Sequence, residues 1–155
     1  MKRRRVKITG LGFVTPAGIG KEAFQRGIME YTSHVVPVKR FPEDSGPFVA
    51  SEVKRFRVED YVDSTTAKKQ PRHTQFALAA TMMALADAGL TNEMVQKLGP
   101  VVVTGTSLMD SNIINQTIEN VAQKGARFGL ARVIFQGPVA MIAATVAEYL
   151  VGHAL

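Results

Sequence analysis

Residues 74–88 constrain this chain more than any other stretch. Phe76, Leu78, Met82, Met83 and Leu85, with Ala77, Ala79, Ala80, Ala84 and Ala86 between them, leave hardly any polar face. A helix apolar on most sides has to be packed between layers, since a surface helix shows only one apolar stripe. Gly89 stands where a left-handed C-terminal cap belongs, and Leu90 supplies the apolar contact that accompanies one. Thr91 then caps a shorter helix ending near Leu98. Gly99-Pro100 turns the chain into Val101-Val102-Val103-Thr104, a continuous apolar run suited to a strand covered on both faces, and hence to a buried, parallel sheet.

The flanking sequence fills out a layered arrangement. Residues 5–12 alternate polar and β-branched side chains and run into glycine, which predicts a first strand and then a turn through Thr15-Pro16-Ala17-Gly18. Ala23, Phe24, Gly27, Ile28 and Tyr31 fall at helical spacing within 21–31. Two short β-like runs, 35–38 and 48–53, bracket a Pro/Gly/Asp-rich stretch and read as short strands or extended loops. Residues 58–62 suit one helical turn, and 64–72 form a basic connector holding Lys68, Lys69 and Arg72, with Pro71 at its boundary. Asp110 or Ser111 can cap a helix with Ile113, Ile114, Thr117, Ile118 and Val121 along one stripe, stopped by Gly125. A last helix is expected over about 138–151. Strands alternating with helices in this order indicate an α/β domain.

At 155 residues and 46% apolar content, one domain around one core is expected. The longest weakly polar stretch, 137–147, is about half of what a bilayer span needs, so no transmembrane helix is expected. The basic start at Lys2-Arg3-Arg4-Arg5 is followed by Lys7, Thr9, Thr15 and Pro16 instead of an apolar segment, which makes a cytoplasmic protein the simpler reading. The chain has no cysteine, and with it go disulfides, thiolate metal ligands and a cysteine nucleophile. A formal net charge of +6 favours acidic partners, with nucleic acid, anionic lipid and acidic proteins all admissible.

Local motifs narrow the chemistry. Gly10-Leu11-Gly12 after a strand invites a dinucleotide-loop reading, but Thr15 occupies the place of the third glycine and Pro16 follows, so a tight structural turn is favoured. Gly105-Thr106-Ser107-Leu108-Met109 has the outline of a nucleophile elbow with Met109 in place of the closing glycine. No spacing pairs His34, His73 or His153 with Ser107 or with an acid, and the histidines form no metal-ligand pattern. Neither a metal nor a cofactor is expected. The tract Lys68-Lys69-Gln70-Pro71-Arg72 can dock an anion or be a solvated connector, and it lacks the interleaved aromatics that stack bases.

Read together, Arg4-Arg5-Val6-Lys7-Ile8-Thr9-Gly10-Leu11-Gly12-Phe13-Val14-Thr15-Pro16-Ala17-Gly18 resembles the amino-terminal signature of type II, elongating β-ketoacyl-[acyl-carrier-protein] synthases. The resemblance continues, in order and spacing, through Gly20-Lys21-Glu22-Ala23-Phe24, residues 50–56, Glu59-Asp60-Tyr61, residues 74–80 and residues 84–90. It implies a thiolase-like fold of two similar α/β halves, of which this chain covers most of the first. It also implies the condensation of an acyl chain with a malonyl unit held on an acidic acyl carrier protein. The family's nucleophilic cysteine lies just beyond the equivalent of the last helix, and its two histidines and lysine come later still. His34, His73 and His153 match none of them, so no catalytic residue is assigned and the chain alone is expected to be inactive.

What the resemblance does assign is peripheral. Lys68 and Lys69 align with basic positions that grip the carrier protein's acidic helix, while Ile113, Ile134 and Phe135 align loosely with residues lining the acyl tunnel, some contributed across a dimer. The family's Met-Asp-x-Phe stands here as Gln70-Pro71-Arg72-His73. Three readings follow. The leading one is the N-terminal portion of a ketosynthase of fatty-acid or polyketide synthesis, either a truncated product or one chain of a split enzyme completed by a complementary C-terminal chain, with a homo- or heterodimer as the family's expected assembly. The alternative is a non-catalytic partner that keeps the carrier-protein or dimer surface. The third is a basic nucleic-acid-binding domain.

Overall fold

The computed structural model describes residues 5–39, 46–63, 65, 68–107, 110–131 and 133–152. In chain order it forms β1 (Val14–Thr15), β2 (Gly18–Ile19), α1 (Lys21–Met29), β3 (Val36–Pro37), β4 (Val49–Ala50) and a 3₁₀ turn (Val58–Asp60). There follow α2 (Arg72–Asp87), α3 (Asn92–Leu98), α4 (Ser111–Lys124), a second 3₁₀ turn (Ala126–Phe128), α5 (Val133–Gln136) and α6 (Ala140–Gly152).

The expectation for the apolar helix holds: α2 is the centre of the molecule. Leu78 and Ala79 on it are 1% and 0% exposed, and they share a core with Phe56, Val58, Val62, Val95, Val146 and Leu150. α6 covers one side of α2, and α3 packs against α6 in turn. Another side carries the extended chain ahead of β1. There a Cβ on Gly12 would stand 1.9 Å from the Ala80 carbonyl oxygen, and one on Gly10 would stand 2.0 Å from that of Ala84. Only glycine lets the backbone lie this close to a helix, and the alanines facing it complete the fit. α2 ends as expected. With Gly89 at φ 66, the Leu90 N–H donates to the Leu85 carbonyl (2.9 Å) and the Gly89 N–H to that of Ala86 (3.1 Å). This is the paired C-terminal cap that satisfies two otherwise orphaned carbonyls.

Other boundaries follow side-chain capping. The Thr91 hydroxyl accepts from the Met94 N–H at the start of α3, and the Asp110 carboxylate accepts from the Asn112 N–H at the start of α4. Gly125, at φ 94, stops α4. The Thr15–Gly18 turn forms, closed by Thr15 Oγ1, which accepts from the Gly18 N–H and donates to its carbonyl. The two β-like runs around residue 43 pair as β3 and β4, antiparallel, with Val36 opposite Ala50.

The sheet departs from expectation. Among the described residues the only ladders are two antiparallel ribbons, β1–β2 and β3–β4, and the anticipated parallel pairing is not formed. Residues 5–12 and 101–104 are not strands of a ladder. Val6 and Ile8 are 91% and 82% exposed, Val101 and Val103 are each 87% exposed, and only Val102 turns onto the core. The reason is physical: apolar patterning reports that a segment suits burial, whereas a ladder also needs a hydrogen-bonding neighbour, which patterning cannot supply. Helix α1 also ends at Met29, earlier than the spacing predicts, because Tyr31 adopts a left-handed φ of 51.

Candidate functional site

Lys68 and Lys69 lie on the turn that leads into α2. Pro71 stands at the N-cap, where its missing N–H costs nothing. The third cation of the tract is committed to the fold: the Arg72 guanidinium lies 4.7 Å from the Phe56 ring centroid and 4.9 Å from that of Phe76, and Nη1 donates to the Phe56 carbonyl. Phe56 and Phe76 meet edge to face at 4.9 Å, so the guanidinium ties the base of the turn to the core. The two lysines are held differently. Lys68 Nζ is 3.8 Å from Glu59 Oε1, a loose surface pair. Lys69 forms no ion pair among the described residues, and its backbone carbonyl accepts from Gln136 Nε2.

Gln136 belongs to α5, which packs against α4. A cavity of about 170 Å³ therefore opens between the basic turn and α4, lined by Lys68, Lys69, Asp110, Asn112, Ile113 and Gln136 among others. Ile113 is 5% exposed and forms its apolar floor. The structure thus brings together Lys68, Lys69 and Ile113, which the sequence places more than forty residues apart. It does not bring Ile134 in: that side chain, on α5, is 67% exposed. Phe135 lies on the same helix, and its side chain is outside the described set. Gln136, Asn112 and Gln116 were not anticipated, because a single amide in a helix carries no sequence signal. Asp110 was anticipated only as a cap.

The other sequence candidates stay apart. His34 Nε2 lies 3.4 Å from the Gly27 carbonyl, His73 is on α2, Ser107 is exposed in a bend, and His153 lies outside the described residues. Among the described residues no cluster of His, Asp or Glu could hold a metal ion. No described helix is long and apolar enough to cross a membrane. The cavity thus presents two lysines and the Asp110 carboxylate, side-chain amides and an aliphatic floor.

Residues 3–153 match the family model described as the β-ketoacyl synthase, N-terminal domain. The chain belongs to the β-ketoacyl synthase family. Among curated relatives, the 3-oxoacyl-[acyl-carrier-protein] synthase 2 of Synechocystis sp. is 33% identical over 108 residues, covering 68% of this chain and 26% of the relative. That of Vibrio harveyi is 30% identical over 132 residues, covering 82% and 31%. The chain thus spans about a quarter to a third of the length of these relatives.

Among solved structures, the ishigamide ketosynthase/chain length factor superposes with a TM-score of 0.81 at 28% identity, covering 96% of this chain and 38% of that one. A type II polyketide ketosynthase in complex with its acyl-carrier protein superposes with a TM-score of 0.77 at 16% identity. The fold is the thiolase-like one of the ketosynthases, represented here by part of its N-terminal region.

Proposed function

We propose that this chain is, as a single domain, the N-terminal portion of a β-ketoacyl synthase. In this reading it helps condense an acyl thioester with a malonyl unit on an acyl carrier protein, in fatty-acid or polyketide synthesis in the cytoplasm. Its own contribution is to dock the carrier. The observation that carries the reading is the meeting of Lys68 and Lys69 with the buried Ile113 at one cavity, a cationic rim over an aliphatic floor. Such a rim suits an acidic helix, which it attracts at long range and holds in register. The curated relatives are named for action on acyl-carrier-protein thioesters, which supports the same partner.

The condensation needs a thiolate to hold the acyl group, and donors to stabilise the enolate that forms when malonyl loses carbon dioxide. These 155 residues contain no cysteine, so the sulfur comes from outside them. Titration with holo acyl carrier protein is expected to show saturable binding that weakens as salt rises. Lys68→Glu with Lys69→Glu should weaken it roughly tenfold or more at low ionic strength. An unchanged affinity in that double variant would sink the docking role.

Where the family has a glycine-rich stretch this chain has Thr104-Gly105-Thr106-Ser107-Leu108-Met109, and that departure favours a second reading, a non-catalytic partner of a cysteine-bearing ketosynthase. Malonyl-carrier decarboxylation separates the two. Rescue by a complementary C-terminal ketosynthase chain, itself inactive alone, supports the first reading. Pairing with an already complete ketosynthase supports the second.

A further inference from the structure

A second cavity, on a different part of the molecule from the lysine turn, has the make-up of a small-molecule site. It has a volume of about 530 Å³ and lies between the β1–β2 turn, the chain at 33–36 and the chain at 52–55. That volume falls in the range of about 300–1,000 Å³ typical of ligand pockets. Pro16, Ile19, Ala23 and Val36 give it an apolar wall, while Lys54 and Arg55 give it a cationic end.

The backbone at that end is unusual. Successive residues of an extended chain point to opposite faces. Lys54 and Arg55 nevertheless line the same cavity, because Arg55 adopts a left-handed φ of 57. A bulky residue holds that conformation only at a cost that glycine would avoid. The turn itself is explained by Phe56, which is 7% exposed and anchored in the core. The arginine side chain is not explained by it, since glycine would make the same turn with less strain. Strain of this kind collects where a side chain has a binding task. Neither Lys54 nor Arg55 forms an ion pair or hydrogen bond among the described residues, whereas Glu52, the carboxylate on the wall, has a partner of its own.

We propose that this cavity binds a small organic phosphate, its phosphate held by Lys54 and Arg55 and its organic body laid against Ile19 and Val36. Two cations on adjacent residues, unpaired among the described residues, match the charge and the several acceptor oxygens of a phosphomonoester. The cavity is also much larger than the free ion requires. The inference is independent of the carrier-docking reading, which concerns the lysine turn.

Calorimetric titration of the chain with phenyl phosphate, at constant ionic strength, tests it against inorganic phosphate and phenol. Saturable binding of phenyl phosphate, tighter than that of either control, is expected. Lys54→Gln and Arg55→Gln should each weaken it about tenfold, the usual order for loss of one charge-assisted contact. Arg55→Gly should weaken it similarly while raising the melting temperature, since it relieves the backbone. A Lys54→Gln/Arg55→Gln variant that binds as the parent does would overturn the proposal. So would inorganic phosphate binding as tightly as phenyl phosphate, or an Arg55→Gly variant that is both less stable and unimpaired in binding. Lys68→Glu with Lys69→Glu should leave this binding unchanged, which keeps it separable from carrier docking.

Discussion

Gly12 sits where the chain crosses α2 with no room for a side chain, its missing Cβ only 1.9 Å from the Ala80 carbonyl oxygen. The obstacle is helix backbone, which cannot rotate away as a side-chain tip would. Gly12→Ala should therefore destabilise the fold by about 1–3 kcal/mol, the usual range for overpacking a close contact. A urea unfolding midpoint that does not move would refute that contact. A neighbouring polar residue fixes the same crossing: Asp87 accepts from the Leu11 N–H at 3.0 Å and from Lys21 Nζ at 2.8 Å. The Lys21 hydrogen bond, then the Leu11 backbone bond, hold the Asp87 carboxyl below its ordinary pKa, and Asp87 raises the Lys21 ammonium above its own. The carboxylate's contribution is thus complete above its unfolded-state pKa and is lost as pH falls through the lower folded value. The ammonium's contribution is complete below its unfolded-state pKa and is lost as pH rises through the higher folded value. Both groups are partly exposed, so water screens the pair. Stability measured against pH should lose part of its acid limb in Asp87→Asn, and an unchanged acid limb would assign that limb to other carboxylates.

At the scale of elements, helices were legible because their signals are local. The cap at Gly89, the N-caps at Thr91 and Asp110 and the stop at Gly125 all depend on residues within one turn, and each forms as expected. Strands were less legible because a ladder depends on a partner elsewhere in the chain. The two runs that hold β3 and β4 suit short strands or extended loops, and they pair with each other across a short stretch of chain, whereas 5–12 and 101–104 have the right patterning and no ladder. The end of α1 shows a smaller lapse. Tyr31 continues the helical spacing, yet it takes a left-handed φ of 51 and is 89% exposed, so its ring gains little from burial. Glycine suits that position better, and Tyr31→Gly should stabilise the protein by about 1 kcal/mol. A fall in melting temperature on that substitution would mean that the ring has a contact role outweighing the strain.

For the molecule as a whole, the lysine tract was visible as charge, but its meeting with Ile113 required α4 to fold back beside the turn, and no spacing rule reports that. The family signature carried what patterning could not: it named the fold while leaving open which of its strands would be paired. The consequence is an exposed face. Among the described residues 101–104 have no backbone hydrogen-bond partner, while Val101 and Val103, on the same side of the extended chain, are each 87% exposed and Val102 anchors the opposite side. Unpaired N–H and C=O groups beside aliphatic side chains form an edge that recruits another extended segment. The chain alone should therefore self-associate with rising concentration. Val101→Lys with Val103→Lys should suppress that association while leaving the core intact, because both side chains are largely exposed and Val102 is kept. Sedimentation velocity across a concentration series reads the association, and circular dichroism checks the fold. A parent chain that stays monomeric throughout, or a double variant that associates as strongly as the parent, would show that this edge is not the adhesive surface.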